Sequence, residues 1–141
     1  MPTTTLTRRV TFAAAHRYRR PEWDDERNTA TFGACSRPNF HGHSYVCDVT
    51  VRGPVDPLTG FVVDLGVLDR ALQAQVRDVF DHRNINLDVP EFADGLLVPS
   101  GENLARFILE RVQRALGSAT TVTSVSVAED ETLRATYSID A

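Results

Sequence analysis

Residues 41–51 read His41-Gly42-His43-Ser44-Tyr45-Val46-Cys47-Asp48-Val49-Thr50-Val51. His41, His43, Tyr45, Cys47, Val49 and Val51 share one parity, so an extended backbone carries all six side chains on one side of a strand. Toward the N-terminus, Leu6, Val10, Phe12 and Ala14 share parity with His16, which predicts another strand from Leu6 to His16. Pairing the two strands would bring His16 beside His41 and His43. Three neutral imidazoles with an open position are a ligand set suited to catalytic zinc. The plainer alternative is that His41 and His43 bond to backbone groups at a strand end.

Gly53-Pro54 stops the second strand, and Asp56-Pro57-Leu58-Thr59-Gly60 reads as a turn. Asp64 then caps a helix over Leu65 to about Phe80, with Leu65, Leu68, Leu72, Val76 and Val79 on one face. Pro21 to Asn28 is polar and reads as loop. Asp81 to Pro99 lacks a period and contains Pro90 and Pro99, so a long connection is expected. Ser100 caps a second helix that buries Leu104, Phe107, Ile108 and Val112 and ends at Gly117. Val122 to Ala128 and Thr132 to Ile139 are two further strands about the acidic turn Glu129-Asp130-Glu131. The expected fold class is α+β: one domain over residues 1–141, a four-stranded antiparallel sheet carrying two helices on one face, in the order ββααββ. Neither terminal strand has a charge or proline defence, so oligomerisation is expected.

A chain of 141 residues supports one ordinary core. No apolar run is long enough to span a bilayer, and Arg8-Arg9 is not followed by the apolar segment of an export signal. A soluble, cytoplasmic protein is expected. The net charge of -4 argues against nucleic acid as a partner. Arg17, Arg19 and Arg20 form a local basic group, either a phosphate-neutralising cluster or a solvated loop. The two cysteines, Cys35 and Cys47, read as free thiols.

Cys35 lies six positions before His41 in a glycine- and proline-shaped loop. Beside a cation its thiol would be acidified and could act as a base, or it could be a fourth metal ligand. Cys47 belongs to an alternating apolar strand and reads as structural. Asp81-His82 is a pair in which the carboxylate can orient the imidazole for proton transfer. Glu129 is either part of a solvated turn or a pocket acid able to accept two hydrogen bonds from an amino-pyrimidinone edge. Glu102 suits a helix start on dipole grounds alone, and Ser100-Gly101 before it could receive an anion.

Taken in order, Phe12-Ala13-Ala14-Ala15-His16-Arg17, Phe32-Gly33-Ala34-Cys35, His41-Gly42-His43-Ser44-Tyr45, Asp56-Pro57-Leu58-Thr59-Gly60, Asp81-His82-Arg83-Asn84, Pro99-Ser100-Gly101-Glu102-Asn103 and Glu129 resemble the 6-pyruvoyl-tetrahydropterin synthase family, which includes the 6-carboxytetrahydropterin synthases of queuosine biosynthesis. The resemblance implies a tunnelling-fold (T-fold) subunit whose sheets close into a barrel, and a homohexamer built as a dimer of trimers. It implies Zn2+ on His16, His41 and His43, catalytic Cys35, Asp81 and His82, and substrate-binding Glu129 and Glu102. It implies 7,8-dihydroneopterin triphosphate as substrate of a zinc-dependent lyase. The six-position step from Cys35 to His41 is similar to the pyruvoyl-forming members; the queuosine-type pattern places its cysteine four before that histidine. Phe40 departs from the family's usual glycine, and Ser44 from the asparagine frequent among pyruvoyl formers. The alternatives are a 6-carboxy-5,6,7,8-tetrahydropterin synthase that releases acetaldehyde and triphosphate, and a non-catalytic zinc-binding structural or regulatory protein.

Overall fold

Alternating apolar residues fix two long strands. In the computed structural model, which describes residues 2–139, β1 (Thr4–His16) and β2 (His41–Gly53) pair antiparallel from Thr4 opposite Gly53 to His16 opposite His41. The side chains of Val10, Phe12, Ala14 and His16 on β1, and of Tyr45, Cys47, Val49 and Val51 on β2, are buried on the predicted parity. β4 (Thr121–Asp130) pairs antiparallel with β2, and β5 (Leu133–Ser138) with β4.

The sheet has five strands, not the four expected, and it is mixed. The added strand, β3 (Arg83–Asn84), runs parallel to β1 with Ala14 opposite Arg83 and Ala15 opposite Asn84, giving the order β3-β1-β2-β4-β5. Two residues are too short for a period to register in sequence. What places them is backbone bonding just before: the His82 N–H donates to the Ala13 carbonyl at 2.6 Å, and the Ala13 N–H donates to Asp81 at 2.9 Å.

The ββααββ order also omits short helices. Residues 21–40, read as loop, contain α1 (Asp25–Phe32) and a 3-10 turn at Gly33–Ser36. The connection after Asp81 contains β3, α4 (Ile85–Asp88) and a 3-10 turn at Pro90–Phe92. The first long helix is α2 (Leu65–Leu72), which continues through a π turn at Gln73–Arg77 into the single turn α3 (Asp78–Phe80). Leu68, Leu72, Val76 and Phe80 are all buried at a spacing of four. In an unbroken α-helix that spacing drifts by about 40° per step, and a wider π turn brings the row back to face the core.

The second long helix, α5 (Gly101–Leu116), follows the Ser100 cap as expected and stops at Gly117, where φ is 72°. It buries Leu104, Ala105, Ile108 and Val112 against the sheet and α2. Phe12 sits between Tyr45 and Phe80, with ring centroids 4.8 and 5.2 Å away. Burying each such side chain contributes about 1.5–3 kcal/mol. The opposite face of the sheet is polar, with Arg9 bridging to Asp48 at 2.9 Å and Thr7 to Thr50 at 2.8 Å. No described helix is long and apolar enough to cross a membrane.

Candidate active site

Strand register assembles the site. Because His16 stands opposite His41 and Ala14 opposite His43, the three imidazoles converge at one end of the sheet. Their ring centroids are 4.7 Å (His16–His41), 5.1 Å (His16–His43) and 5.0 Å (His41–His43) apart. Their candidate ligand atoms all lie within 4.8 Å of one another. His16 is fully buried, and its Nδ1 lies 2.8 Å from the Pro99 carbonyl oxygen. A carbonyl only accepts, so Nδ1 carries the proton and Nε2 presents its lone pair, with the Tyr45 hydroxyl 3.4 Å away. The Ser100 cap and the bond from the Asn103 amide to the Val98 carbonyl, at 2.8 Å, hold Pro99 in place.

These residues fit a metal. The His43 Nε2 is buried without a hydrogen-bond partner, a costly arrangement unless something coordinates it. Burial, and then proximity to His41 and His43, lowers the His16 pKa to about 4, while its bond to Pro99 acts the other way. His41 is also lowered, first by burial and then by His43. Both rings are therefore neutral near pH 7, as ligation requires.

The same shift sets a pH dependence. The folded His16 pKa lies below its ordinary 6.5, so its contribution to stability is fully present above pH 6.5 and is lost as pH falls toward 4. The loss amounts to about 3 kcal/mol at the acid end. Denaturant midpoints of metal-free protein should fall across this window, and a flat profile would contradict a buried neutral His16.

Glu129 comes to the same place from β4. Its Oε2 is 3.7 Å from His43 Nε2, its Oε1 is 4.0 Å from His16 Nε2, and its side chain is 10% exposed, so it is a pocket acid and not a solvated turn. Tyr18 donates its hydroxyl to Oε1 at 2.6 Å. Cys35 is half-buried and close enough to Glu129 to feel its charge. Without a cation its thiol is pushed up, first by burial and then by that carboxylate; the acidification expected from sequence is that of a thiol beside a cation. Positive charge at the imidazoles is what would lower it. Cys47 is buried within β2 and pushed up to about 12 by burial, as a structural thiol should be.

Asp81 and His82 form their expected pair, with His82 Nδ1 3.1 Å from Asp81 Oδ2. Asp81 also receives the Ala13 N–H and Arg77, and these bonds hold its carboxyl below the usual range, the Ala13 bond foremost. The His82 side chain is 85% exposed, and its backbone is left-handed at φ 60°. Among the described residues no hydrogen bond or ion pair links Asp81 or His82 to Cys35. Glu102 is exposed in the first turn of α5 and makes no side-chain bond in the described structure.

Phe40, flagged by its departure from glycine, has φ 64°, immediately before His41. Glycine enters that region freely, whereas another residue carries about 1–3 kcal/mol of strain. The Arg17 guanidinium lies over the Phe40 ring at 5.8 Å. Gly42 is different: an added Cβ would stand 3.4 Å from the Ala14 carbonyl, an ordinary contact, so close approach does not account for it. Arg17 and Arg19, with Arg37, line a cleft of about 700 Å³ beside Cys35, where Arg17 donates to the Ser36 carbonyl and Arg19 to Asp25; Arg20 turns to Glu22 and the Leu96 carbonyl.

The sequence reading missed Tyr18, the Pro99 carbonyl and two buried asparagines. Asn28 accepts from the Arg20 N–H and donates to the Arg20 and Asp24 carbonyls; Asn86 bonds both backbone groups of Arg17. Asp24 followed by Asp25 and Glu26 is a helix-start signal that would have revealed α1.

The model of the 6-pyruvoyl tetrahydropterin synthase family matches residues 5–140. The 6-pyruvoyl tetrahydrobiopterin synthase of Pongo abelii is 41% identical over 111 residues, covering 79% of this chain and 75% of that protein. The solved structure of the Caenorhabditis elegans 6-pyruvoyl tetrahydropterin synthase matches with a TM-score of 0.91 at 35% identity, over 99% of this chain and 98% of that one. The 6-carboxy-5,6,7,8-tetrahydropterin synthase of Bacillus subtilis (strain 168) is 35% identical over 86 residues, covering 60% of this chain and 54% of that protein.

Proposed function

Because the chain belongs to the 6-pyruvoyl tetrahydropterin synthase family, we propose that it is a zinc-dependent lyase converting 7,8-dihydroneopterin triphosphate to 6-pyruvoyl-tetrahydropterin with release of triphosphate. The observation that carries the metal assignment is the buried, unpartnered His43 Nε2 beside His16 and His41. His16, His41 and His43 would hold the zinc, which would supply Lewis acidity toward the side-chain hydroxyls of the substrate. Glu129 accepts hydrogen bonds from the amino-pyrimidinone edge and fixes the ring, and Glu102, in the first turn of α5, is a second substrate-binding acid. Cys35, as thiolate, removes a proton from the side chain. His82, oriented by Asp81, returns protons. One hydroxyl-bearing carbon is oxidised as the ring is reduced, and the other becomes a carbonyl as triphosphate leaves and the carbon that carried it becomes a methyl, so no external nicotinamide is needed.

In this reading Asp81 and His82 act on a neighbouring subunit's pterin. The high exposure of His82 and its lack of a bond to Cys35 support a site shared between chains. The assembly is a homohexamer of two trimers, each closing its sheets into a barrel, which also covers the edge of β5 and the side of β1 that lies outside its two-residue pairing with β3.

Mass spectrometry after anaerobic incubation of zinc-loaded protein with 7,8-dihydroneopterin triphosphate tests the proposal. The expected product keeps all three side-chain carbons and has lost triphosphate. Release of acetaldehyde with 6-carboxytetrahydropterin would assign the queuosine-type reaction, and intact substrate would assign a structural or regulatory role. For Glu129→Ala, pterin affinity should fall by about tenfold or more with zinc retained, as expected for lost bonds to a charged group. Unchanged affinity in an equilibrium titration would refute the anchor.

A further inference from the structure

The Glu129 carboxylate is aimed by two features that an ordinary strand residue does not need. The β4–β5 register shifts at this point: Ala128 pairs with Arg134 and Asp130 with Leu133, so Glu129 has no residue opposite. A bulge of this kind turns the extra residue's side chain away from the ladder. The second feature is the Tyr18 hydroxyl, 2.6 Å from Oε1. The His43 and His16 nitrogens, at 3.7 and 4.0 Å, are beyond hydrogen-bond reach. Among the described residues, Tyr18 is therefore the one hydrogen-bond donor to this carboxylate.

Tyr18 is itself held from several sides. Its backbone N–H donates to the Cys35 carbonyl at 2.8 Å. The preceding residue, Arg17, exchanges two backbone bonds with the Asn86 amide, at 2.9 and 3.0 Å. The Tyr18 ring packs edge-on against His16, with centroids 4.9 Å apart, and against Phe32 at 5.9 Å. A hydroxyl fixed in this way directs a carboxylate with little further loss of freedom.

We infer that Tyr18 is a positioning residue, whose O–H holds the Glu129 carboxylate in the orientation that receives the N–H edge of a bound amino-pyrimidinone ring. A carboxylate offers about four lone-pair sites. Tyr18 occupies one of them and leaves both oxygens able to accept from the ligand. Without that bond, Glu129 is free to turn toward His43 and His16, and the ring meets a carboxylate that must first be ordered. The inference rests on the pterin reading proposed above.

The test compares zinc-loaded wild type with Tyr18→Phe, which keeps the ring packing and removes only the hydroxyl. Each is titrated with pterin itself, 2-amino-4-oxopteridine, which carries the ring edge without a side chain, and binding is followed by pterin fluorescence. The expected result is a Kd raised about tenfold in Tyr18→Phe, as for loss of a bond to a charged group. Zinc content is unchanged, and with the triphosphate substrate KM rises while kcat stays within about twofold. Equal Kd values for the two proteins, or zinc loss in Tyr18→Phe, would overturn the positioning role and leave the pterin reading standing. Failure of the wild type to bind pterin would overturn both.

Discussion

His43→Ala should leave a folded chain that no longer holds zinc and no longer turns over. The His43 Nε2 is buried without a partner, so truncation breaks no hydrogen bond and abandons no acceptor in the protein. The cost falls on the metal. Outer-shell partners of a metal site are each worth about 10–100-fold in affinity, and loss of a direct ligand should exceed that. Without several kcal/mol of Lewis-acid stabilisation, triphosphate release should fall by about a thousandfold or more. Elemental analysis of the purified variant, thermal unfolding of its metal-free form and triphosphate release together check this. A variant that keeps its full zinc content would remove His43 from the ligand set.

Cys35→Ala should do the reverse with respect to metal: zinc content stays at the wild-type level while turnover falls by about 10²–10⁴-fold, the usual contribution of a positioned acid or base. Cys35 is not part of the cluster of candidate ligand atoms formed by His16, His41 and His43, and as a thiolate it is the base that the reaction needs. The structure raises the thiol through burial and Glu129. Metal-free protein should therefore react sluggishly with a thiol-directed alkylating agent at neutral pH, and zinc loading should accelerate it. Equal zinc loss in Cys35→Ala and His43→Ala would make Cys35 a fourth ligand and sink its role as base.

The parts of this site that were legible in sequence share a simple period. The two-residue alternation of β1 and β2 announced which side chains are buried, and a full-length antiparallel pairing then put His16 beside His41 and His43. Both long helices were readable from their apolar spacing and from the Asp64 and Ser100 caps. What escaped was held by polar groups. The only buried residue of α1 is Asn28, so no apolar stripe marks that helix. β3 is two residues placed by backbone bonds around Asp81 and His82.

Bulges also break the parity on which the strand reading relied. The β2–β4 register shifts between Thr50 and Val51, so Val122 and Val125 are both buried although three residues apart. A second shift frees Glu129. In sequence Glu129 is either a turn residue or a pocket acid, and its distance from the imidazoles and its bond to Tyr18 are properties of the folded chain alone. That position 40 takes a left-handed backbone likewise became visible only in the φ of Phe40.

The division of labour between three imidazoles and one thiol decides the whole account. An X-ray absorption spectrum at the zinc edge of the loaded wild-type protein reads it directly. The expected spectrum has light-atom scatterers only, with three imidazole nitrogens at about 2.0–2.1 Å and the multiple-scattering pattern of histidine. A sulfur shell at about 2.3 Å would place Cys35 on the metal and contradict it.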